Sequence, residues 1–274
     1  MKHKFLFILL FSLVLEGMVT TQAVAGDYVH QVNTLIGTKG TGLTSGYLYP
    51  GATYPYGMVQ FTPSYFSKRS GFVINQLSGG GCEHMGNFPT FPVKGKLKMS
   101  PDNILNYRIN VSEEKGHAGY YEAMVQEDIK AKLTVTERTG MASYEYPADQ
   151  QYGTIIIGGG ISATPIEQAA IVITAPNKCE GYAEGGNFCG LRTPYKVYFV
   201  AEFDTDALES GTWKRNELKP NTTFAEGEYS GVYFTFDVNK KKNIQYKIGV
   251  SYVSVENARE NLKAENTGWD FLQI

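Results

Sequence analysis

The chain has 274 residues, with 25 basic and 27 acidic side chains and a formal charge of −2. That balance removes the electrostatic case for nucleic-acid binding. With 42% hydrophobic and 13% aromatic residues, and no internal repeat, low-complexity tract or linker, the composition suits a single large globular domain.

The N-terminus reads as a secretory signal peptide, residues 1–25. Lys2 and Lys4 precede an apolar run over 5–15, and the small-residue end Ala23-Val24-Ala25 follows. The run is too short for a membrane span, which takes about 20 residues, and no cysteine near the cleavage site offers a lipid anchor. Residues 26–274 are therefore expected to form one exported domain, periplasmic or secreted, in a compartment that permits disulfides.

Two stretches then concentrate glycine, proline and aromatic residues: "SGYLYPGATYPYGMVQFTP" at 45–63 and "GGGCEHMGNFPTFP" at 79–92. Tyr47, Tyr49, Tyr54 and Tyr56, around Gly51 and the Pro-Gly pairs, admit two readings. They form an aromatic surface that stacks on a sugar and bonds its hydroxyls, or they are half-buried strand residues joined by turns. Gly80 and Gly81 likewise either let a ligand approach the backbone or simply make bends. Local physics favours the plainer reading of both. Cys82 and His84 make a C-x-H pair with no second pair at zinc spacing, so a buried thiol is expected at Cys82.

From there the periodicity is that of strands. Ile129, Ala131, Leu133 and Val135 alternate with Lys130, Lys132, Thr134 and Thr136, one face buried and one wet. "TIIIGGG" at 154–160 is a short continuous apolar run, a strand buried on both faces that ends where backbones approach closely. No helical pattern follows its glycines, so they are not a phosphate loop. "CEGYAEGGNFC" at 179–189 reads as a glycine-rich loop whose ends, Cys179 and Cys189, are expected to be bonded, leaving Cys82 unpaired. Val197, Phe199, Ala201 and Phe203 alternate again. So do Val232, Phe234, Phe236 and Val238, then Ile244, Tyr246, Ile248 and Val250 across "NKKKN", which predicts a hairpin. One helix closes the chain: Ser254 caps a turn that places Val255, Ala258 and Leu262 on one face. Many alternating strands without helices between them predict an all-β fold, a large antiparallel β-sandwich with one short helix at the C-terminus.

Five ordered blocks carry a resemblance: "VNTLIGT" at 32–38, "YPGATYPYGMVQFTP", "NQLSGGGCEHMGNFP", "GHAGYYEAMVQEDIKAKLTVTERTGMASYEYP" and "IGVSYVSVENARENLKAENTGWDF". Together they resemble the N-terminal domain of glycoside hydrolase family 92, the secreted bacterial exo-acting α-mannosidases, over about residues 32–271. The resemblance implies a β-sandwich that packs on a larger (α/α) barrel, to which the calcium ion and the acid and base of inverting hydrolysis belong. On that reading no cofactor and no catalytic residue is expected in this chain, which would be a truncated or split piece needing a separately encoded barrel.

The resemblance also makes the two dense stretches loops that wall the sugar pocket or meet the barrel, using Tyr47, Tyr49, Gly51, Tyr54, Tyr56, Gly80, Gly81, Cys82, Asn87 and Phe88. A mannose-containing glycan is the expected ligand. The alternative is a free-standing carbohydrate-binding sandwich. One departure bears on sugar specificity: Asn75 and Gln76 stand near where many members carry histidine.

Overall fold

A computed structural model describes residue 28 and residues 31–38, 48–64, 71–77, 82, 84–104 and 111–274. The expected signal peptide lies outside the described residues, as do Tyr47, Gly80 and Gly81. The chain divides after Gln31 into two units, and every strand and helix named below belongs to the second, Val32–Ile274.

Among the described residues seventeen strands and two α-helices succeed one another: β1 (Ala52–Thr53), β2 (Gln60–Pro63), β3 (Phe72–Val73), β4 (Thr90–Lys94), α1 (Pro101–Ile104), β5 (Val111–His117), β6 (Tyr120–Val125), β7 (Ile129–Val135), β8 (Thr139–Glu145), β9 (Tyr152–Gly158), β10 (Ile166–Ala175), β11 (Lys178–Phe188), β12 (Leu191–Phe203), β13 (Glu209–Lys214), β14 (Glu217–Pro220), β15 (Phe224–Glu226), β16 (Ser230–Asp237), β17 (Asn243–Ser251) and α2 (Val255–Glu265). They form an eight-stranded sheet, β1-β2-β3-β4-β9-β16-β13-β14, and a nine-stranded sheet, β15-β10-β11-β12-β17-β8-β7-β6-β5. The strand pairs within both sheets are antiparallel. The predicted all-β sandwich is the observed architecture.

Its core is the space between the two inner faces. Phe203 of β12 packs against Phe234 and Phe236 of β16, with ring centroids 4.9 and 5.1 Å away, and against Tyr246 of β17 at 5.3 Å. All four side chains are buried, and each contributes on the order of 1.5–3 kcal/mol through removal from water. The alternation in β7 buries Ile129, Ala131 and Leu133 and leaves Lys130 and Lys132 half-exposed. In β9, flanked in its sheet by β4 and β16, Ile155, Ile156 and Ile157 are all buried, so both faces of the strand are covered. Its glycine end makes a close approach: a Cβ on Gly160 would sit 1.9 Å from the Gly227 carbonyl.

Two expectations are corrected. β16 and β17 are not a hairpin, since β16 pairs with β9 and β13 while β17 pairs with β8 and β12. "NKKKN" carries the chain from one sheet to the other, and alternation alone does not distinguish a partner in the same sheet from one across the core. Residues 179–189 are not a loop but most of β11, paired on both sides by β10 and β12. An extended run of that length separates its ends by roughly 33 Å at about 3.3 Å per residue. Cys179 and Cys189 therefore cannot be bonded; Cys179 is a free, buried thiol whose ionisation burial strongly disfavours.

Helix α2 matches its reading. The Ser254 hydroxyl accepts from the Asn257 N–H at 3.1 Å, and Ala258 and Leu262 bury against Val200, with Val255 packed beside them. Among the described residues no helix is long and apolar enough to cross a membrane.

Candidate functional site

One end of the sandwich gathers the turns of both dense stretches. The Met58 N–H donates to Glu137 O at 2.7 Å, Gln60 N–H to Ile74 O at 2.9 Å, and Ile74 N–H to Asn87 O at 3.4 Å. Met85 bridges Gln76 and accepts from Ala163 N–H at 2.7 Å. Ile74 thus stands between the two stretches, bonded to Gln60 on one side and to Asn87 on the other, so that a single intervening segment separates 60 from 87.

The predicted residues fall into three groups. Tyr54 is 48% exposed, and Tyr56 stands wholly in solvent at 105% with a left-handed φ of 60°, a backbone state that a non-glycine residue adopts at a cost. Tyr49 and Gly51 line a cleft of about 350 Å³ with Asn33, Thr34, Thr53 and His117. Gly51 also has a packing role, because a Cβ there would lie 2.2 Å from Thr62 Cβ. Asn87 and Phe88 are buried, at 0% and 1% exposure, which corrects their assignment to a contact surface. Phe88 stacks on Phe199 with centroids 4.2 Å apart, a core contact.

Asn87 instead anchors a buried polar cluster. Its N–H donates to Asn75 Oδ1 at 2.8 Å, and its Oδ1 accepts from Asn75 Nδ2 at 3.1 Å and from the Tyr195 hydroxyl at 2.8 Å. Asn75 Nδ2 also reaches the Tyr252 hydroxyl at 3.3 Å. Burial raises the Tyr195 phenol to about 12, against the lowering influence of its bonds to Asn87 and Ser162. Around this network several buried polar atoms have no partner: both amide atoms of Gln76, Nδ1 of His84 and Nδ2 of Asn87. Such groups cost about 1–3 kcal/mol each unless something meets them.

Cys82 is not the lone thiol expected of it: it is bonded to Cys189, Cα–Cα 5.4 Å. The disulfide ties the 84–88 turn to the tip between β11 and β12 and holds His84 edge-on between Phe188 and Tyr195, each 5.5 Å away. Sequence reasoning missed Tyr195 and Tyr252. The signal was there: they extend the core-facing alternations 197–203 and 244–250 by one step, past the end of the packed core, where a phenol must find a polar partner.

Two carboxyls, Glu265 and Glu122, are shifted away from the range of a general acid. Burial would raise the Glu265 carboxyl, but hydrogen bonds from Thr136 and from the Arg138 backbone and side chain outweigh it and hold it below the usual range. Glu122 is likewise lowered, its burial outweighed by Tyr120, Lys130 and Lys115. A general acid at neutral pH needs the opposite shift. Among the described residues no group of three or more His, Cys, Asp or Glu side chains converges as a metal site would.

Residues 31–251 match the profile described as "Glycosyl hydrolase family 92 N-terminal domain". Over 96% of its length the chain is 24% identical to an uncharacterized secreted glycosidase of Arthroderma benhamiae. Among solved structures it is similar to a family GH92 α-mannosidase of Bacteroides thetaiotaomicron, with TM-score 0.75 and 25% identity over 89% of this chain. It is also similar in fold to a family GH92 inverting mannosidase of the same organism, with TM-score 0.73 and 23% identity over 90% of this chain. The chain spans 39% of the Arthroderma protein and 36% and 34% of the two mannosidases.

Proposed function

The chain belongs to the glycosyl hydrolase family 92 N-terminal domain family, and from that premise we propose that it is the non-catalytic part of a mannosidase-like glycosidase, whose loop end walls a glycan pocket and docks a catalytic domain. The observation that carries this reading is the character of that end. Leu48, Tyr54, Tyr56, Met58, Leu77 and Tyr252 are large apolar side chains exposed in and around these turns. Tyr252 borders the polar cluster in which Gln76, His84 and Asn87 keep unpartnered groups. Exposed apolar area together with unsatisfied polar atoms is what an interface lacking its ligand or partner leaves.

In this reading the exposed rings of Tyr54 and Tyr56 meet the sugar or the partner, while Asn87 and Phe88 hold the turn that presents them. Acid–base chemistry and calcium are assigned to the catalytic domain, in keeping with the lowered carboxyls of Glu122 and Glu265. Export is supported by the Cys82–Cys189 disulfide, by the signal-like residues 1–25 and by the printed name of the Arthroderma relative. A mannose-containing glycan is the proposed ligand class.

Calorimetry with mannosides on the purified chain, with and without calcium, tests the site. Tyr54→Ala and Tyr56→Ala are expected to weaken binding while stability stays within about 0.5 kcal/mol, as for most surface changes. Unchanged binding in both variants would remove the tyrosines from the site.

A further inference from the structure

Helix α2 covers part of the outer face of the nine-stranded sheet, packing on Val200, and an apolar gap lies beside it toward the β15 edge. There Ala170 and Val172 of β10 floor a slot of about 180 Å³ walled by Tyr182, Phe224 and Val255, with Glu180 at its rim. The register explains the gap. Ala170 stands opposite Tyr182 on β11, and Val172 opposite Phe224 on β15, so two aromatic residues face each other diagonally across the small side chains of β10. Strand spacing of about 4.8 Å and a rise of about 3.4 Å per residue set their Cα atoms roughly 12 Å apart. Phe224 is 54% exposed.

One side of Tyr182 is already occupied, with Lys196 Nζ 4.2 Å from its ring centroid, so the slot takes another part of the ring. Glu180 pairs with Arg259 of α2 at 2.6 Å and Glu184 with Lys196 at 3.3 Å, while Glu226 stands exposed opposite Ala170 on β15. The slot itself is lined almost wholly by apolar groups, and paired aromatic walls with a carboxylate and a guanidinium at the rim suit apolar ring faces edged by hydroxyls. The slot is also short. A docking helix, about 10 Å across, needs anchor points repeated along a groove, and this one offers a single pocket.

We propose that Ala170, Val172, Tyr182, Phe224 and Val255, with Glu180 and Arg259, form a second carbohydrate site that takes one neutral hexopyranose ring, separate from the loop end. Its occupation needs no partner domain and no part of the loop-end reading.

The test is an NMR titration of the purified chain with methyl α-D-mannopyranoside and, in parallel, methyl β-D-glucopyranoside. Saturable shifts at Ala170, Val172 and Phe224 are expected with at least one of them. Tyr182→Ala should weaken that binding at least tenfold, and Ala170→Leu, which fills the floor from an outward-facing position, should abolish it without lowering the melting temperature by more than a few degrees. Tyr56→Ala should leave these shifts untouched, which separates this site from the loop end. Absence of saturable shifts up to about 50 mM of both glycosides, well above a millimolar dissociation constant, overturns the proposal. So does binding that survives Ala170→Leu, or a slot that saturates with cyclohexanol and with neither sugar, which would make it an apolar docking pocket.

Discussion

Asn87 shows how a residue type misleads about its place. An asparagine beside glycines and a phenylalanine reads as a loop-surface residue, yet it is fully buried and bonds Asn75 and Tyr195. It supports the site and does not touch solvent. Partners 108 residues away in sequence, as Tyr195 is, leave no local mark. Glu265 carries a different long-range bond, to the turn 136–138 on which Met58 also rests. Its folded carboxyl is lowered, burial being outweighed by Thr136 and Arg138. A depressed carboxyl contributes stability above its unfolded value, about 4.3, and loses it as pH falls through the folded value. Melting curves for Glu265→Gln should therefore lie below wild type at pH 7 and converge with it as pH falls below the unfolded value and through the lowered folded one. A constant difference at every pH would contradict that assignment.

At the scale of elements, period-2 patterns placed β7, β12, β16 and β17, and helical periodicity placed the cap and apolar face of α2, because both depend on neighbours a few residues apart. Pairing was less legible. The cysteines illustrate why: glycines at 181, 185 and 186 suggested a loop, but they occur in a strand held on both sides by β10 and β12. Glycine there meets close backbone, not a bend. The real bond, Cys82–Cys189, closes 107 residues and depends on topology that no spacing reveals. In the chain-entropy account a loop of that size stabilises by up to about 4–5 kcal/mol. Replacing both cysteines by serine should lower stability by about 2–5 kcal/mol and speed amide exchange over 84–88. Loss of less than about 1 kcal/mol, with exchange unchanged, would mean the polar cluster holds the turn unaided.

For the whole molecule, the family and the sandwich were legible, since ordered motif blocks constrain a fold more than any single segment does. The interior of the loop end was not, because Gln76, His84, Tyr195 and Tyr252 converge only when both sheets are assembled. The central claim is that this end meets the sugar while the chain itself performs no hydrolysis. NMR spectra recorded while the purified chain is incubated with α-1,2-mannobiose test it most directly. The account predicts shifts at 48–58, 84–88 and 191–195 and an intact disaccharide at the end of the incubation. Release of mannose that a substitution within this chain abolishes would contradict it, as would shifts gathered instead away from that end, around 204–208 and 237–241.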